Sequence, residues 1–445
     1  MRVIFLFVLA FSTLSLVAQN QVKLKGQLVN FSNQVEVEDL SEFQYLLPPS
    51  ADRMIVPDAE GRFSINFPLQ APNYFRIGRN ILYLSPGDDL NLVIDYNKNL
   101  AASFEGQGSE ANLYLRGTPF PKGGSFLEAG RRIGKTPDET IDSIMEAALR
   151  RLNELTALRS VTKEFKRLEE ARIKADIINS LKMVRSYAGS ARHLDETQRK
   201  EFITQYAEIS APIIEKFMMG FVDASYLKLV VYRDICADLI KVNPNAPDSR
   251  KIQDWLTANS LVRGMQKLND KEEISAVKSK ITAIQTSEYR DAALQFHAML
   301  MKFGKGDKAV DFTALNSDGT PVNLSSLKGK VIYIDIWATW CGPCMAEMPA
   351  YEKLKEQFKD RDDVAFISLS IDSSPEIWKK NIESRNATGY QWYINRNKLD
   401  AYNIVGIPRS ILIDKDFKIN EMNAALPSAK NLPAQILELT GSQAD

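Results

Sequence analysis

The strongest constraint in this sequence is a β-strand pattern that runs directly into a helix pattern, with two cysteines at the junction. Residues 330–337 are apolar and rich in β-formers, and residues 343–358 carry apolar side chains at helical spacing. Cys341 lies between them in WATWCGPC and Cys344 lies in the first turn of the helix pattern, although the whole chain has only three cysteines. A strand followed at once by a helix predicts a layered α/β structure in which helices cover a central sheet.

The sequence after residue 303 continues this alternation of strands and helices. KFGKGDKA interrupts the preceding helical pattern and marks a boundary. Beyond it we expect strands at 364–371, 409–414 and 417–422, and helices at 375–385 and from residue 428 onward. Residues 304–445 are therefore predicted to form one α/β domain.

Two zones of different composition precede this domain. Residues 20–117 are rich in β signals: QVKLKGQLV and GRFSINFPL alternate, and ILYLSPGDDLNLVIDY reads as two strands joined by a turn. Residues 118–303 have a helical apolar period, and the first long helix is predicted to begin with Thr136 as N-cap, Pro137 in the first turn and Glu139 closing a capping box. The predicted fold class is multidomain α+β, with an N-terminal antiparallel β domain, a central helical domain and the C-terminal α/β domain.

Residues 1–19 have the layout of a secretory signal peptide. Arg2 precedes an apolar run from Val3 to about Val17, and Ala18 is a small residue at the expected cleavage position. The alternative is an uncleaved anchor, but the run is shorter than the roughly 20 residues that span a bilayer. No cysteine follows the run to carry a lipid. We expect an exported, periplasmic protein that is soluble or peripherally associated with the membrane.

The overall composition disfavours several classes of function. The 56 basic side chains balance 56 acidic ones, which argues against a nucleic-acid partner. The two histidines, His193 and His297, are far apart in stretches with helical patterns, so no metal site or Ser/His/Asp machinery is predicted. Cys236 stands alone among aliphatic residues and is interpreted as a packed small hydrophobe.

The cysteine spacing favours redox chemistry over a structural role. A disulfide across two intervening residues removes little entropy from the unfolded chain, so it stabilises weakly. Cys341 at a helix N-terminus would face unpaired N–H groups, which favour the nucleophilic thiolate. Cys344, one turn along, would resolve the mixed disulfide. Gly342 and Pro343 add no positive charge between the cysteines, which favours a reductant over an oxidant.

Two further positions are candidates for the same site. Asp335 is a carboxylate in the otherwise apolar strand VIYIDIW, and burial would raise its pKa toward that of a proton acceptor. A hydrogen-bonded structural aspartate is the alternative. The Ile407–Pro408 bond precedes a strand, and a cis bond there would present backbone to an extended substrate.

Residues 305–440 resemble the TlpA/ResA-like exported thiol–disulfide oxidoreductases, which have a thioredoxin fold. The resemblance rests on GDKAVDFTALNSDGTPVNL, WATWCGPC, FISLSIDSSPEIW and VGIPRSILIDKDFKI. It implies that Cys341 is the nucleophile, Cys344 the resolving cysteine and Asp335 the buried acid. Residues implied to position the substrate are Trp340, Ile407 and cis-Pro408. LYLSPGDDLNLVID and FEGQGSEANLYL are similar to the N-terminal β domain found ahead of this module in related proteins.

One further position matches the group, and two positions depart from it. Glu347 matches an acidic position common in the group and is a possible modulator of the site. Arg409 replaces a small polar residue after the proline and is expected to alter substrate choice or the redox potential. Phe417 replaces a common turn glycine.

The sequence therefore predicts an exported enzyme that reduces protein or peptide disulfides through a Cys341/Cys344 pair, with no other cofactor. The family implies a membrane-embedded thiol transporter as the electron donor. One alternative is a thiol peroxidase, which is disfavoured because Thr339 precedes Cys341 by two residues where that chemistry needs three. Another is a redox-sensing binding or assembly protein with little turnover.

Overall fold

The computed structural model describes residues 20–31, 35–46, 53–118, 125–372, 374–404 and 406–441. The chain divides into two compact units, one of Met1–Asn259 with Thr286–Tyr289 and one of Ser260–Gln285 with Arg290–Asp445. The predicted signal peptide at 1–19 lies outside the described residues. Within the described part of the chain, no helix combines the length and the apolar character needed to cross a bilayer.

The first unit begins with short strands arranged in three sheets. One sheet has the order β5-β1-β8-β9, a second has β3-β6-β7, and a third pairs β2 with β4. The strands are β1 (Gln21–Val29), β2 (Val35–Glu36), β3 (Glu38–Asp39), β4 (Met54–Ile55), β5 (Arg62–Pro68), β6 (Asn73–Ile77), β7 (Asn80–Leu84), β8 (Asp89–Asp95) and β9 (Ser103–Gln107). Side chains from the different sheets share one apolar core that includes Leu24, Phe75 and Leu92.

The predicted antiparallel arrangement is wrong for one strand pair, because β1 and β8 run parallel. The two strands approach so closely that a Cβ on Gly26 would lie 1.8 Å from the carbonyl oxygen of Leu92. Gly26 also has a φ of 142°, which only glycine adopts readily. The strands on either side of Pro86 and Gly87 are present as β7 and β8, but they belong to different sheets.

Helices make up the rest of the first unit. They are α1 (Ser109–Arg116), α2 (Pro137–Ala157), α3 (Lys163–Ala191), α4 (Glu196–Met218), α5 (Val230–Val242) and α6 (Ser249–Met265), the last of which continues into the second unit. The capping box at the start of α2 is confirmed: Thr136 accepts from the Glu139 backbone, and Glu139 accepts from the Thr136 backbone. The prediction that His193 lies in a helix is wrong. It lies in the turn after α3 with a φ of 50°, because the helix has already ended at its C-cap, Arg192.

A buried polar network joins the strands to the helices of the first unit. The Tyr74 hydroxyl on β6 donates to Glu169 on α3 at 2.7 Å. Arg172 pairs with Glu169 and donates to Asp176 at 3.0 Å, and all three charged side chains are buried. The predicted boundary between a β domain and a helical domain at residue 117 stays a prediction. Both regions belong to the first unit.

The second unit contains a seven-stranded sheet with the order β11-β10-β14-β13-β12-β15-β16. Its strands are β10 (Thr313–Asn316), β11 (Pro321–Asn323), β12 (Val331–Trp337), β13 (Val364–Ser370), β14 (Tyr390–Tyr393), β15 (Arg409–Ile413) and β16 (Ile419–Ala424). Its helices are α7 (Lys271–Thr282), α8 (Ser287–Lys302), α9 (Gly342–Gln357), α10 (Pro375–Ser384) and α11 (Leu432–Thr440). The α/β fold class is confirmed, but the sequence analysis missed the β10–β11 hairpin and β14.

Strand β12 is buried on both faces and separates two apolar cores. Ile332, Ile334 and Ile336 point to one core. Val331 and Tyr333 point to the other, together with residues of α9 and α11. Because side chains alternate along a strand, Asp335 and Trp337 share the face of Tyr333.

We predict that Arg172→Ala strongly destabilises the first unit. Removing the guanidinium leaves two carboxylates buried without their cation, at a cost of about 3–5 kcal/mol in the free energy of unfolding. Urea unfolding should show this loss. The matched control is Arg185→Ala, an exposed arginine on the same helix, which should change stability by less than about 0.5 kcal/mol. Equal effects of the two substitutions would contradict the importance of the network.

Candidate active site

The two cysteines lie at the junction of β12 and α9. Cys341 is the N-cap of α9, and its Sγ accepts a hydrogen bond from the backbone N–H of Cys344 at 3.2 Å. The sulfurs of Cys341 and Cys344 are joined in a disulfide. Pro343 occupies the first helical turn, where its missing N–H costs nothing. The local sequence therefore places both sulfurs where the helix presents its free N–H groups.

A buried carboxylate that the sequence analysis missed anchors the turn before the cysteines. Asp372 accepts from the backbone N–H of Thr339 at 2.9 Å and from the Thr339 hydroxyl at 2.7 Å. It also accepts from the Ser370 hydroxyl at 2.8 Å. The available signal was an aspartate directly following the buried strand FISLSI. Asp372 fixes the backbone that leads into Cys341.

The disulfide is surrounded by apolar side chains. Cys341 is 5% exposed and Cys344 1% exposed. The same cluster contains Trp337, Met348, Trp378, Ile382 and Tyr393, with Ile407 packed at its margin. Trp340, by contrast, is 60% exposed next to Cys341. Both sulfurs are thus shielded from water, and the exposed indole ring of Trp340 lies next to them.

A cation also lies close to this cluster. The guanidinium of Arg385 is 5.1 Å from the centroid of the Trp337 ring, within the range of a cation–π contact. Burial lowers the pKa of Arg385, and the charge of Glu352 opposes this. Neither Arg385 nor its contact was predicted, because it follows α10 in a segment that carries no motif.

Asp335 lies beneath this region in the middle of the sheet. It is 2% exposed and stands opposite Ser410 on β15 and Ser368 on β13. The Ser410 hydroxyl donates to Asp335 Oδ1 at 3.5 Å, and the Tyr333 hydroxyl lies 2.8 Å from Ser410 Oγ. Burial raises the pKa of Asp335 to about 7; the bond from Ser410 lowers it, and the charge of Glu347 raises it.

Glu347 therefore acts electrostatically on the buried acid. It lies on α9, one turn after Cys344, and is partly exposed. Its carboxylate accepts from the backbone N–H and the hydroxyl of Ser428, each at 2.9 Å. These bonds fix α9 to the segment that precedes α11.

The Ile407–Pro408 peptide bond is cis. Ile407 packs against the cysteine cluster and also against the core on the other face of the sheet. Pro408 leads directly into β15. Arg409 points to the face opposite Ser410, so it does not share the face of Asp335.

The third cysteine and the remaining histidine lie outside this cluster. Cys236 is buried in α5, and burial raises the pKa of its thiol to about 12. His297 is buried in α8. The structure therefore brings together the cysteine pair and Ile407, with Asp335 on the adjoining strand and Glu347 on the adjoining helix.

Comparison with known proteins places the C-terminal domain in a defined group. The Redoxin family model matches residues 304–432. The thiol-disulfide oxidoreductase ResA of a Bacillus cereus strain is 30% identical over 147 residues, which cover 33% of this chain and 84% of that protein. The thioredoxin-like protein YneN of Bacillus subtilis (strain 168) is 26% identical over 133 residues, covering 30% of this chain and 78% of YneN.

A solved structure also matches. It is the thioredoxin domain of a thiol-disulfide oxidoreductase from Bacteroides vulgatus, 28% identical, with a TM-score of 0.28. The match covers 31% of this chain and 97% of that domain.

We predict that Asp335→Asn stabilises the second unit at high pH. A carboxyl whose pKa rises from 3.8 to about 7 on folding binds its proton more tightly in the folded state. Wild-type stability should therefore fall as pH rises from about 4 to about 7, by at most roughly 4 kcal/mol. Asparagine does not titrate, so the variant should gain stability over wild type at pH 8 and match it more closely at pH 4.

Urea unfolding at a series of pH values measures this difference. The control is Asp360→Asn, an exposed aspartate of the same unit, which should leave the pH profile unchanged. A wild-type profile that parallels Asp335→Asn across this range would contradict a raised pKa for the buried carboxyl.

Proposed function

Because the chain belongs, through its C-terminal domain, to the ResA-like thiol–disulfide oxidoreductases, we propose that it reduces disulfides of exported proteins with Cys341 and Cys344. The observation that carries this proposal is the disulfide at the N-terminus of α9. A bond between these two cysteines is the oxidised product that such a reductase would form. The proposal includes the role that the sequence analysis expects for each site residue.

The reaction begins with both cysteines reduced. The Cys341 thiolate attacks one sulfur of the client disulfide, forming a mixed disulfide and releasing the other client sulfur as a thiolate. Cys344 then loses its proton and attacks Sγ of Cys341. The second client sulfur leaves, and the enzyme disulfide closes. Two electrons pass to the client, and two protons are taken up by its thiolates.

The unequal burial of the cysteines supports this order of attack. Cys341 is the more exposed of the two, and only a sulfur that a client can reach forms the mixed disulfide. Cys344 is enclosed and needs to reach only Cys341. The backbone N–H of Cys344 already points at Cys341 Sγ, and the same N–H would stabilise a thiolate there.

Asp335 is the proposed proton acceptor for Cys344. Its pKa of about 7 suits proton transfer near neutral pH, since a carboxyl with an ordinary pKa would be too weak a base. Its position on β12, on the face shared with Trp337 of the cysteine cluster, supports this role. The negative charge of Glu347 raises the pKa of Asp335 further.

Client binding is proposed at the exposed side of the disulfide. Trp340 offers an apolar surface next to Cys341, and the backbone at Ile407 and cis-Pro408 would pair with an extended client segment. The direction toward reduction rests on Gly342 and Pro343, which place no charge between the cysteines.

Export and the electron source belong to the same proposal. Residues 1–19 have the pattern of a signal peptide, so the protein is proposed to act in the periplasm. Regenerating the dithiol there requires an external donor of two electrons. A membrane-embedded thiol transporter would supply them.

We predict that Cys344→Ala traps clients as stable mixed disulfides. Without the resolving thiol, the bond between Cys341 and the client persists, and mass spectrometry of the adduct would identify the client. Cys341→Ala should form no such adduct. Cys236→Ala is the matched control and should behave as wild type, because Cys236 is buried and belongs to the first unit.

Turnover separates this function from its alternatives. Wild type should accelerate insulin reduction by dithiothreitol, and both Cys341→Ala and Cys344→Ala should lose this activity. Equal rates for all three proteins would refute the reductase and leave a binding or assembly role. Consumption of hydrogen peroxide by wild type, without insulin reduction, would instead support a thiol peroxidase.

A further inference from the structure

A cavity lies on the face of β15 that points away from Asp335. It is formed within the second unit by residues of β15 and β16, the end of α6, the start of α7, and the end of α8. Its wall includes Met265, Gln266, Leu268, Asn269, Ile274, Leu300, Phe303, Gly304, Asn403, Arg409, Met422 and Asn423. Most of this wall is apolar or neutral. Arg409 supplies its charge.

The guanidinium of Arg409 has no hydrogen-bonding or ionic partner in the described part of the chain. Among the described residues, none forms a hydrogen bond, an ion pair or a ring contact with it, and its Nε is buried. Burial lowers the pKa of Arg409 to about 10, and no nearby carboxylate opposes this effect. At neutral pH the side chain is still a cation. Arg409 is only partly buried, but its buried Nε has neither a protein partner nor contact with water, so this position favours an anion from outside the chain.

The geometry of the cavity is fixed by hydrogen bonds in its wall. Asn269 accepts from the Asn423 backbone N–H at 2.6 Å and donates to the Asn423 carbonyl at 3.1 Å. The Asn423 amide donates to the Gln266 carbonyl at 2.8 Å. These bonds hold the segment after α6 against the edge strand β16. The cavity is therefore preformed.

A second polar group in the wall is also available to a ligand. The side-chain amide of Asn403 has no hydrogen-bond partner among the described residues. An amide N–H can donate to an anion beside the guanidinium. One cation and one neutral donor match a single negative charge better than a doubly charged group.

The size of the cavity limits the ligand further. The cavity volume is about 20 Å³. One water molecule needs roughly 10–15 Å³. There is room for a halide ion or for one carboxylate group, but not for a large organic molecule.

We propose that this cavity is a binding site for one small monovalent anion, a halide ion or a single carboxylate group, paired with Arg409. The anion would join β15 to the segment after α6, because Arg409 and the wall residues Gln266 and Asn269 face the same space. Arg409 directly follows cis-Pro408, so the bound anion would stabilise the strand that carries the proposed client-binding backbone. A carboxylate can come from a free solute or from an acidic side chain of a peptide.

The test compares a small carboxylate with a bulky sulfonate at equal ionic strength. Full-length wild-type protein is titrated with sodium formate against a background of sodium p-toluenesulfonate, which has no carboxylate group and carries its charge on a bulkier sulfonate. We expect single-site binding and a rise in Tm with formate. Arg409→Gln should weaken formate binding at least tenfold, and Arg409→Lys should retain part of it because the charge remains.

Arg361→Gln is the matched control. Arg361 belongs to the same unit and is paired with Asp363, so its loss should leave formate binding unchanged. Crystals of wild type soaked in bromide give a direct readout that needs no variant to fold. An anomalous peak in contact with the Arg409 guanidinium is expected.

A peptide titration identifies the source of the carboxylate. Acetyl-Gly-Glu-Gly-amide is compared with acetyl-Gly-Gln-Gly-amide, using Cys341→Ala protein so that no thiol chemistry occurs. Binding of the glutamate peptide at least tenfold tighter than formate assigns the site to peptide carboxylates, whereas weaker binding assigns it to free anions. No bromide peak at Arg409, or equal formate binding by wild type and Arg409→Gln, would overturn the proposal. None of these measurements depends on reductase activity.

Discussion

The proposed chemistry of this protein depends on one hydrogen bond, from the backbone N–H of Cys344 to the sulfur of Cys341. It exists because β12 ends at Trp337 and α9 begins at Gly342, which leaves Cys341 as the helix cap. A helix N-terminus carries unpaired N–H groups and a partial positive charge. A sulfur held there is stabilised as an anion, and the next turn of the helix brings a second sulfur within bonding distance.

Residues around this junction fix the position of Cys341 and set the electrostatic environment of the site. Asp372 holds the preceding turn through Thr339, so the cap position does not rely on the helix alone. The apolar cluster around the disulfide excludes water and strengthens electrostatic effects inside it. Burial of Asp335 in the middle of the sheet raises its pKa to about 7. The domain thus holds a nucleophile at a helix cap and a buried proton acceptor on the adjoining strand.

Sequence reasoning predicted the elements that carry strong periodic patterns. Strand β12, helix α9 and the capping box at Thr136 are confirmed because apolar spacing and cap residues define them locally. The parallel pairing of β1 with β8 was not predictable, because no local signal specifies which distant strand will pair. Strand β14 and the β10–β11 hairpin are short, and their apolar patterns are too brief to stand out.

The candidate site shows the same division. Its cysteines and Asp335 are visible in the sequence, since a carboxylate in an apolar strand and a close cysteine pair are both unusual. Asp372 and Arg385 enter through long-range contacts that the linear pattern does not reveal. The expectation that Arg409 alters substrate choice or the redox potential stays a prediction, and alternation along β15 places its side chain on the face opposite Ser410. Phe417 stands where related proteins commonly have a turn glycine, and it has a φ of 62°. This backbone conformation suits glycine, so the phenylalanine is held there under strain.

The most direct test of this account is the pH dependence of alkylation of Cys341. Reduced Cys344→Ala protein is treated with iodoacetamide across a pH series, with labelling at Cys341 followed by mass spectrometry. A sulfur stabilised by the helix should reach half of its maximal rate below about pH 7.5. Half-maximal alkylation at or above about pH 8.5, as for an ordinary free cysteine, would contradict the central claim.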